Sequence, residues 1–190
     1  MRVERRTVEL PAGAAVAVVA DTHGRPDPGL APWLDRARPA LVLHAGDVGG
    51  RHVLDDLAAR APLVAVRGNI DAPAPDLPDA VVLDLAPAGQ PGLRILLTHI
   101  AVVGPRLRAD VRRLAEAERA GLVICGHSHV PLLVRDGPRA VFNPGSVGPR
   151  RFQLPIVFGV LGFVDGSLRA RHVEAATGVE WRPPGARAAP

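Results

Sequence analysis

Lysine and tyrosine are absent from this 190-residue chain, and cysteine and methionine occur once each. Almost nothing therefore titrates between the histidines and the arginines. All 23 basic side chains are Arg, against 19 Asp and Glu. A surplus of only +4 is then enough to carry the isoelectric point to about 11.0. The high value is a weak argument for a nucleic-acid partner, and a compositional bias in the source genome explains Arg-only usage more simply. Aromatic residues make up 3% of the chain, which leaves little for stacking bases. No specific nucleic-acid partner is expected. The single Cys125 excludes an intramolecular disulfide framework and is consistent with a reducing, cytoplasmic setting. Residues 1–13 carry charges with no apolar stretch behind them that could act as a signal peptide. No run approaches the 18 or so apolar residues of a membrane span, so no membrane partner is expected.

Hydrophobic residues, at 47%, are plentiful. With few aromatics, the core must be built mostly from Val, Leu, Ile and Ala. The length suits one domain, expected over residues 1–180, with a loose Pro-rich tail at 181–190. Short, β-branched apolar runs at 14–20, 40–44, 63–66, 81–85, 93–97, 122–125, 132–135, 140–142, 156–164 and 167–174 read as strands, most of them covered on both faces. Amphipathic spacing predicts helices over 28–38, 53–59 and 105–119. Strand–helix alternation in the first half argues an α/β fold. The strand-rich second half argues a second, largely antiparallel sheet, and the two sheets are expected to lie face to face with helices outside.

Polar residues cluster where strands end. Asp21, Thr22 and His23 follow the first apolar run, Gly46 and Asp47 the second, and Gly68, Asn69, Ile70 and Asp71 the third. Thr98 and His99 follow the run at 93–97, and Gly126, His127, Ser128 and His129 the run at 122–125. Ligands of α/β sheets bind beyond the carboxyl ends of strands. Carboxylates, imidazoles and an Asn carbonyl form an oxygen and nitrogen donor set suited to Mn, Fe, Co, Ni or Zn. With no Cys among them, a structural zinc finger is unsupported. If the D-x-H and H-x-H pairs are extended, period-two alternation points both members the same way. Any one of these residues alone reads better as a turn or capping residue; the ordered set does not.

These motifs, D-x-H, G-D, G-N, a later His and G-H-x-H, resemble the calcineurin-like metallophosphoesterase superfamily, and within it the small YfcE-type phosphodiesterases. The resemblance spans Asp21 to His129, with Asn143-Pro144-Gly145-Ser146 beyond. It implies two facing mixed β-sheets flanked by helices, a four-layer αββα sandwich. It further implies a first metal held by Asp21, His23, Asp47 and His129, and a second held by Asp47, Asn69, His99 and His127. Asp47 would bridge, and Asp47, Asn69 and His99 would stand at the reaction centre. The implied cofactors are two divalent transition-metal ions, with Mn the first choice. They would clamp a phosphoryl group and activate a bridging hydroxide for in-line attack on a small or nucleotide phosphodiester.

Ile70 stands where many members have a leaving-group His; the small bacterial branch often lacks that His too, and the general acid is left unassigned. Ile100-Ala101 also departs from the pattern that often follows the later His. Arg67 and Ser146 are candidate substrate contacts. Arg150 and Arg151 read equally as phosphate contacts or as solvated arginines. His44 is expected to be packed and hydrogen-bonded, His52 and His172 to lie at the surface, Cys125 to fill the core, and Asp71 to cap a turn. A homo-oligomer is implied by the resemblance alone. The competing function is a scaffold for protein–protein interaction, as in the retromer subunit that looks like the same fold with an impaired site.

Overall fold

The structure is a computed structural model and describes residues 1–89, 91–151, 153–164 and 167–183. In chain order it runs β1 (Val3–Leu10), β2 (Val16–Val19), α1 (Leu30–Ala37), β3 (Leu41–His44), α2 (Arg51–Ala58) and β4 (Leu63–Ala65). There follow β5 (Ala80–Pro87), β6 (Leu93–Thr98), a small hairpin of β7 (Val102–Val103) and β8 (Arg106–Leu107), α3 (Ala109–Ala117) and β9 (Leu122–Ile124). The chain continues through β10 (Leu132–Asp136), β11 (Arg139–Asn143), β12 (Val157–Val164), β13 (Ser167–Glu174) and β14 (Glu180–Trp181).

Two six-stranded sheets form, in the orders β1-β5-β6-β9-β11-β10 and β14-β13-β12-β2-β3-β4. Between them lies a core of Val16, Val18, Leu41, Leu43, Leu83, Ile95, Leu97, Ile124 and Phe142, drawn from both sheets. Strand residues of the other parity face outward. Ala17, Val19, Val42 and Phe158 pack under α1 and α2, with Trp33 meeting Phe158 edge-on at 4.8 Å. Val82, Leu96, Val123 and Val141 pack under Val111 and Ala115 of α3 and Leu107 of β8. The four-layer αββα sandwich is therefore present, and unbroken apolar runs belong to strands buried on both faces.

Several expectations need correction. The sheet built from the second half is mixed rather than largely antiparallel, because β1/β5, β6/β9 and β9/β11 pair in parallel. Strand β1 escapes sequence reading because it is an edge strand rich in Arg and Glu, which blunt an exposed edge. The helix expected from residue 105 begins at Ala109, since Arg106–Leu107 pairs with Val102–Val103. His172 is buried rather than superficial: its Nε2 donates to the Asn143 carbonyl at 2.8 Å, and its ring leans on Phe142. Trp181, placed in the tail from sequence, pairs with His172 in β14. Of that tail, residues 184–190 lie outside the described residues. Among the described residues no helix is long and apolar enough to cross a membrane.

Candidate metal centre

The candidate residues meet beyond the carboxyl ends of β2, β3, β4, β6 and β9. Asp21, His23 and His129 form one group and Asp47, His99 and His127 a second; within each, the candidate donor atoms lie within 4.8 Å of one another. In the first, His23 Nε2 is 3.2 Å from His129 Nε2, which is 3.4 Å from Asp21 Oδ1. In the second, His99 Nε2 is 3.1 Å from Asp47 Oδ1 and 3.2 Å from Asn69 Oδ1, and His127 Nδ1 is 2.9 Å from the same Asn69 oxygen. Asp47 links the groups, because its Oδ2 lies 3.9 Å from His23 Nε2.

The backbone that presents these side chains is not extended. Asp21, His23, Asp47, His127 and His129 all have positive φ, between 48° and 67°. Among the described residues only two other non-glycine residues do so, Arg38 and Arg119, both at helix C-termini. The period-two argument for D-x-H and H-x-H is therefore corrected: left-handed turns, not strand alternation, converge the pairs. Such conformations cost of order 1–3 kcal/mol each and cluster at functional sites.

A buried chain of hydrogen bonds holds the turns. Gly46 N–H donates to His44 Nδ1 at 3.2 Å, His44 Nε2 donates to Thr22 Oγ1 at 2.9 Å, and the Thr22 hydroxyl donates to the Val48 carbonyl at 2.9 Å. Asp71 accepts from Val48 N, Gly49 N and Gly68 N at 2.8–3.0 Å, so its carboxylate joins the loops that present Asp47 and Asn69. Both backbone amides and imidazoles thus serve the site indirectly. His52 is exposed and Cys125 is wholly buried, as their sequence contexts indicated.

Burial pushes the Asp21 carboxyl up to about 7, with the neighbouring Asp47 charge adding to it. Burial acts on Asp47 the same way, but hydrogen bonding and charge from His99 outweigh it and bring that carboxyl to about 2. Desolvation draws His129 down to about 4, helped by the positive charge of Arg151. His99 goes the other way: burial opposes its charge, yet the bond to Asp47 and the charge of Asp21 raise it.

The donor chemistry fits cations. His99 Nδ1 donates to the Ala45 carbonyl at 2.7 Å, so a neutral ring turns a bare lone pair toward Asp47 and Asn69. Three acceptors then converge with no donor among them. His23 and His129 likewise present Nε2 to Nε2. A proton on one member or a divalent cation resolves such a crowd, and imidazole, carboxylate and amide oxygen together suit a transition metal.

His44 carries a testable consequence. Burial lowers it to about 4, from an ordinary 6.5. As pH falls below 6.5, the unfolded chain takes up a proton that the native chain refuses. Stability is therefore lost between about pH 6.5 and 4, by about 3 kcal/mol in total. His44→Gln is expected to flatten this acid limb while costing about 1 kcal/mol at pH 7, read from urea midpoints at pH 7 and 4.5. Parallel acid limbs in the two proteins would refute the assignment.

A sequence profile of the calcineurin-like phosphoesterase superfamily domain matches residues 15–166. The chain belongs to this superfamily. A probable metallophosphoesterase of Methanocaldococcus jannaschii is 34% identical over 107 residues, 56% of this chain and 52% of that protein, so the match spans about half the relative's length. Among solved structures, a conserved uncharacterized protein of Streptococcus pneumoniae described as a predicted phosphoesterase superposes with TM-score 0.66 at 22% identity, covering 92% of this chain and 95% of the other. The phosphoesterase YfcE of E. coli gives 0.58 at 19%, covering 87% and 96%. Vps29 of Entamoeba histolytica, solved in complex with zinc, gives 0.61 at 24%, covering 85% and 99%. At these identities the structural likenesses establish the fold.

In this member of the superfamily a cavity of about 460 Å³ opens beside Asn69 and His99, with Arg67, Asp79, Thr98 and Arg108 in its wall. Arg67, a candidate substrate contact from sequence, lines the cavity, and its guanidinium is paired with Asp79. Ser146 is turned elsewhere: its hydroxyl is buried and donates to the Asp21 carbonyl at 3.0 Å, bracing the turn. Arg108 and Asp79 carry no sequence signal, since only the tertiary fold brings them to this cavity. Arg151, left open by the sequence, reaches the centre, with Nη2 3.4 Å from His23 Nε2.

Proposed function

We propose that the chain is a metal-dependent phosphodiesterase acting on a small organic or nucleotide phosphodiester. The observation that carries this reading is the pair of His/Asp groups joined by one carboxylate, Asp47. In this reading Asp21, His23, Asp47 and His129 hold one divalent cation, and Asp47, Asn69, His99 and His127 hold the other, with manganese preferred among Mn, Fe, Ni, Co and Zn. When bound, the cations supply positive charge for the phosphoryl oxygens and lower the pKa of water.

The chain's own residues do the positioning. His99 is oriented by the Ala45 carbonyl, and Asp47 is kept ionised by its neighbours. The cavity beside Asn69 and His99 accommodates the leaving alcohol. Exposed Ile70 cannot donate a proton, so the leaving group takes its proton from solvent or from the substrate side. The lone buried Cys125 accords with a reducing, cytoplasmic setting.

Metal-stripped protein re-supplied with Mn²⁺ is expected to regain hydrolysis of bis-p-nitrophenyl phosphate, and to bind two Mn²⁺ per chain by elemental analysis. One ion per chain with full activity would dismiss the bridged pair. A scaffold for protein partners is the second reading, supported by the likeness to Vps29 over 85% of this chain. Folded protein that binds metal yet hydrolyses no phosphoester with any of the five metals would favour it.

A further inference from the structure

The arginines around the site differ in one respect. Arg67 is paired with Asp79, Arg108 with Asp110, and Arg51 with Asp55 and Asp76, while Arg150 donates to the Leu154 carbonyl. Among the described residues no carboxylate lies within ion-pair distance of Arg151, and its guanidinium donates only to His23 Nε2, at 3.4 Å. This is an exposed cation with no ion-pair partner among the described residues, touching an atom of the candidate metal centre.

It lies on the loop that leaves β11, and the start of that loop is tied to the site. The Ser146 hydroxyl donates to the Asp21 carbonyl, Val147 N donates to the Ala20 carbonyl at 3.3 Å, and Asp27 N donates to the Val147 carbonyl at 2.7 Å. The segment leading to Arg151 is thereby stitched to both sides of the turn that presents Asp21 and His23. A solvated surface arginine needs no such tether. Guanidinium is also the side chain best matched to a phosphoryl group, since its planar fork donates two parallel hydrogen bonds to two oxygens. A group bound where His23 and His129 direct their Nε2 atoms comes within reach of that fork.

We propose that Arg151 is a substrate-binding residue whose guanidinium donates to the nonbridging oxygens of the phosphoryl group at the His23–His129 edge of the site. The proposal rests on the phosphoesterase reading for its substrate, and not for its binding measurement. It makes Arg151 a further positive charge at the centre, one that senses the charge of the anion. Inorganic phosphate, with more negative charge than a diester, should feel its loss most.

The experiment is calorimetric titration of inorganic phosphate into Mn²⁺-loaded wild type, Arg151→Met and Arg151→Lys, with metal content measured on the same samples. Arg151→Met is expected to bind phosphate about tenfold more weakly, as for loss of a charge-assisted hydrogen bond. Arg151→Lys should fall between, and Mn²⁺ content should be unchanged in both. Phosphate affinity within twofold of wild type in Arg151→Met would overturn the proposal. So would a parallel loss of Mn²⁺, which would make the side chain part of the hold on the cation, and so would a wild type that binds no phosphate. Should the wild type bind phosphate, lose it in Arg151→Met, and still hydrolyse no ester, the anion site stands and the enzymatic reading falls.

Discussion

Replacing Asp47 by Asn is expected to lower Mn²⁺-dependent hydrolysis of bis-p-nitrophenyl phosphate by about a thousandfold or more. Asp47 is the carboxylate that faces both groups, with Oδ1 3.1 Å from His99 Nε2 and Oδ2 3.9 Å from His23 Nε2. Its loss removes a charge from both cation positions at once. Asn is the instructive replacement. It tolerates the left-handed conformation at φ 53° nearly as well as Asp. It also retains an oxygen able to accept the Ile70 N–H, now 3.2 Å away. The fold should therefore survive, with a melting temperature within a few degrees of wild type in metal-free buffer. Asp47→Ala loses both advantages and should cost about 1–2 kcal/mol more in stability. If Asp47→Asn keeps more than a tenth of wild-type activity at saturating Mn²⁺, Asp47 is not the bridge.

Gly68→Ala is expected to be among the most damaging single methyl additions at the described residues. A Cβ at Gly68 would stand 2.1 Å from Asp47 Oδ1 and 2.2 Å from the Asp47 backbone nitrogen. The carboxylate oxygen could swing aside, but the backbone nitrogen cannot, so one of the two loops has to move. The move breaks the Asp71 carboxylate bonds that join those loops. Overpacking of this kind costs about 3 kcal/mol or more, and activity should fall with it because Asn69 follows directly. Gly162→Ala is the matched control in β12, where a Cβ meets nothing within 4 Å. It should leave both unfolding and hydrolysis within error of wild type. Equal stability of the two variants, by urea denaturation, would show that the close approach at Gly68 is not real.

Gly68 also shows why the motifs are legible. Glycine precedes Asn69 because Asp47 fills the space a side chain would need, and Gly46 precedes Asp47 because a Cβ there would stand 2.7 Å from His99 Nδ1. These dipeptides are local records of long-range crowding, which is how a pattern read along the chain can report a site assembled across it. The signal failed where geometry was not local. The left-handed backbone at Asp21 and His129 looks, in sequence, like an extended D-x-H or H-x-H pair. Strand β1 hides because an edge strand is under no demand to be apolar. His172 reads as a surface residue, with Arg171 before it and Glu174 two residues on, until Trp181 and Phe142 close over it.

The sequence by itself determined the layers and the chemical inventory. Apolar runs buried on both faces require two covered sheets, and strand ends carrying Asp, Asn and His place an oxygen and nitrogen donor set at one rim. Only the tertiary structure decided how the inventory is used. Pairing distances between loops dozens of residues apart are set by sheet register and by the Thr22–His44 and Asp71 bonds, and neither leaves a mark on neighbouring residues. The same cause separates the arginines: Arg67 meets Asp79, brought to it by the fold, whereas Arg151 is carried to the candidate metal centre without an ion-pair partner among the described residues.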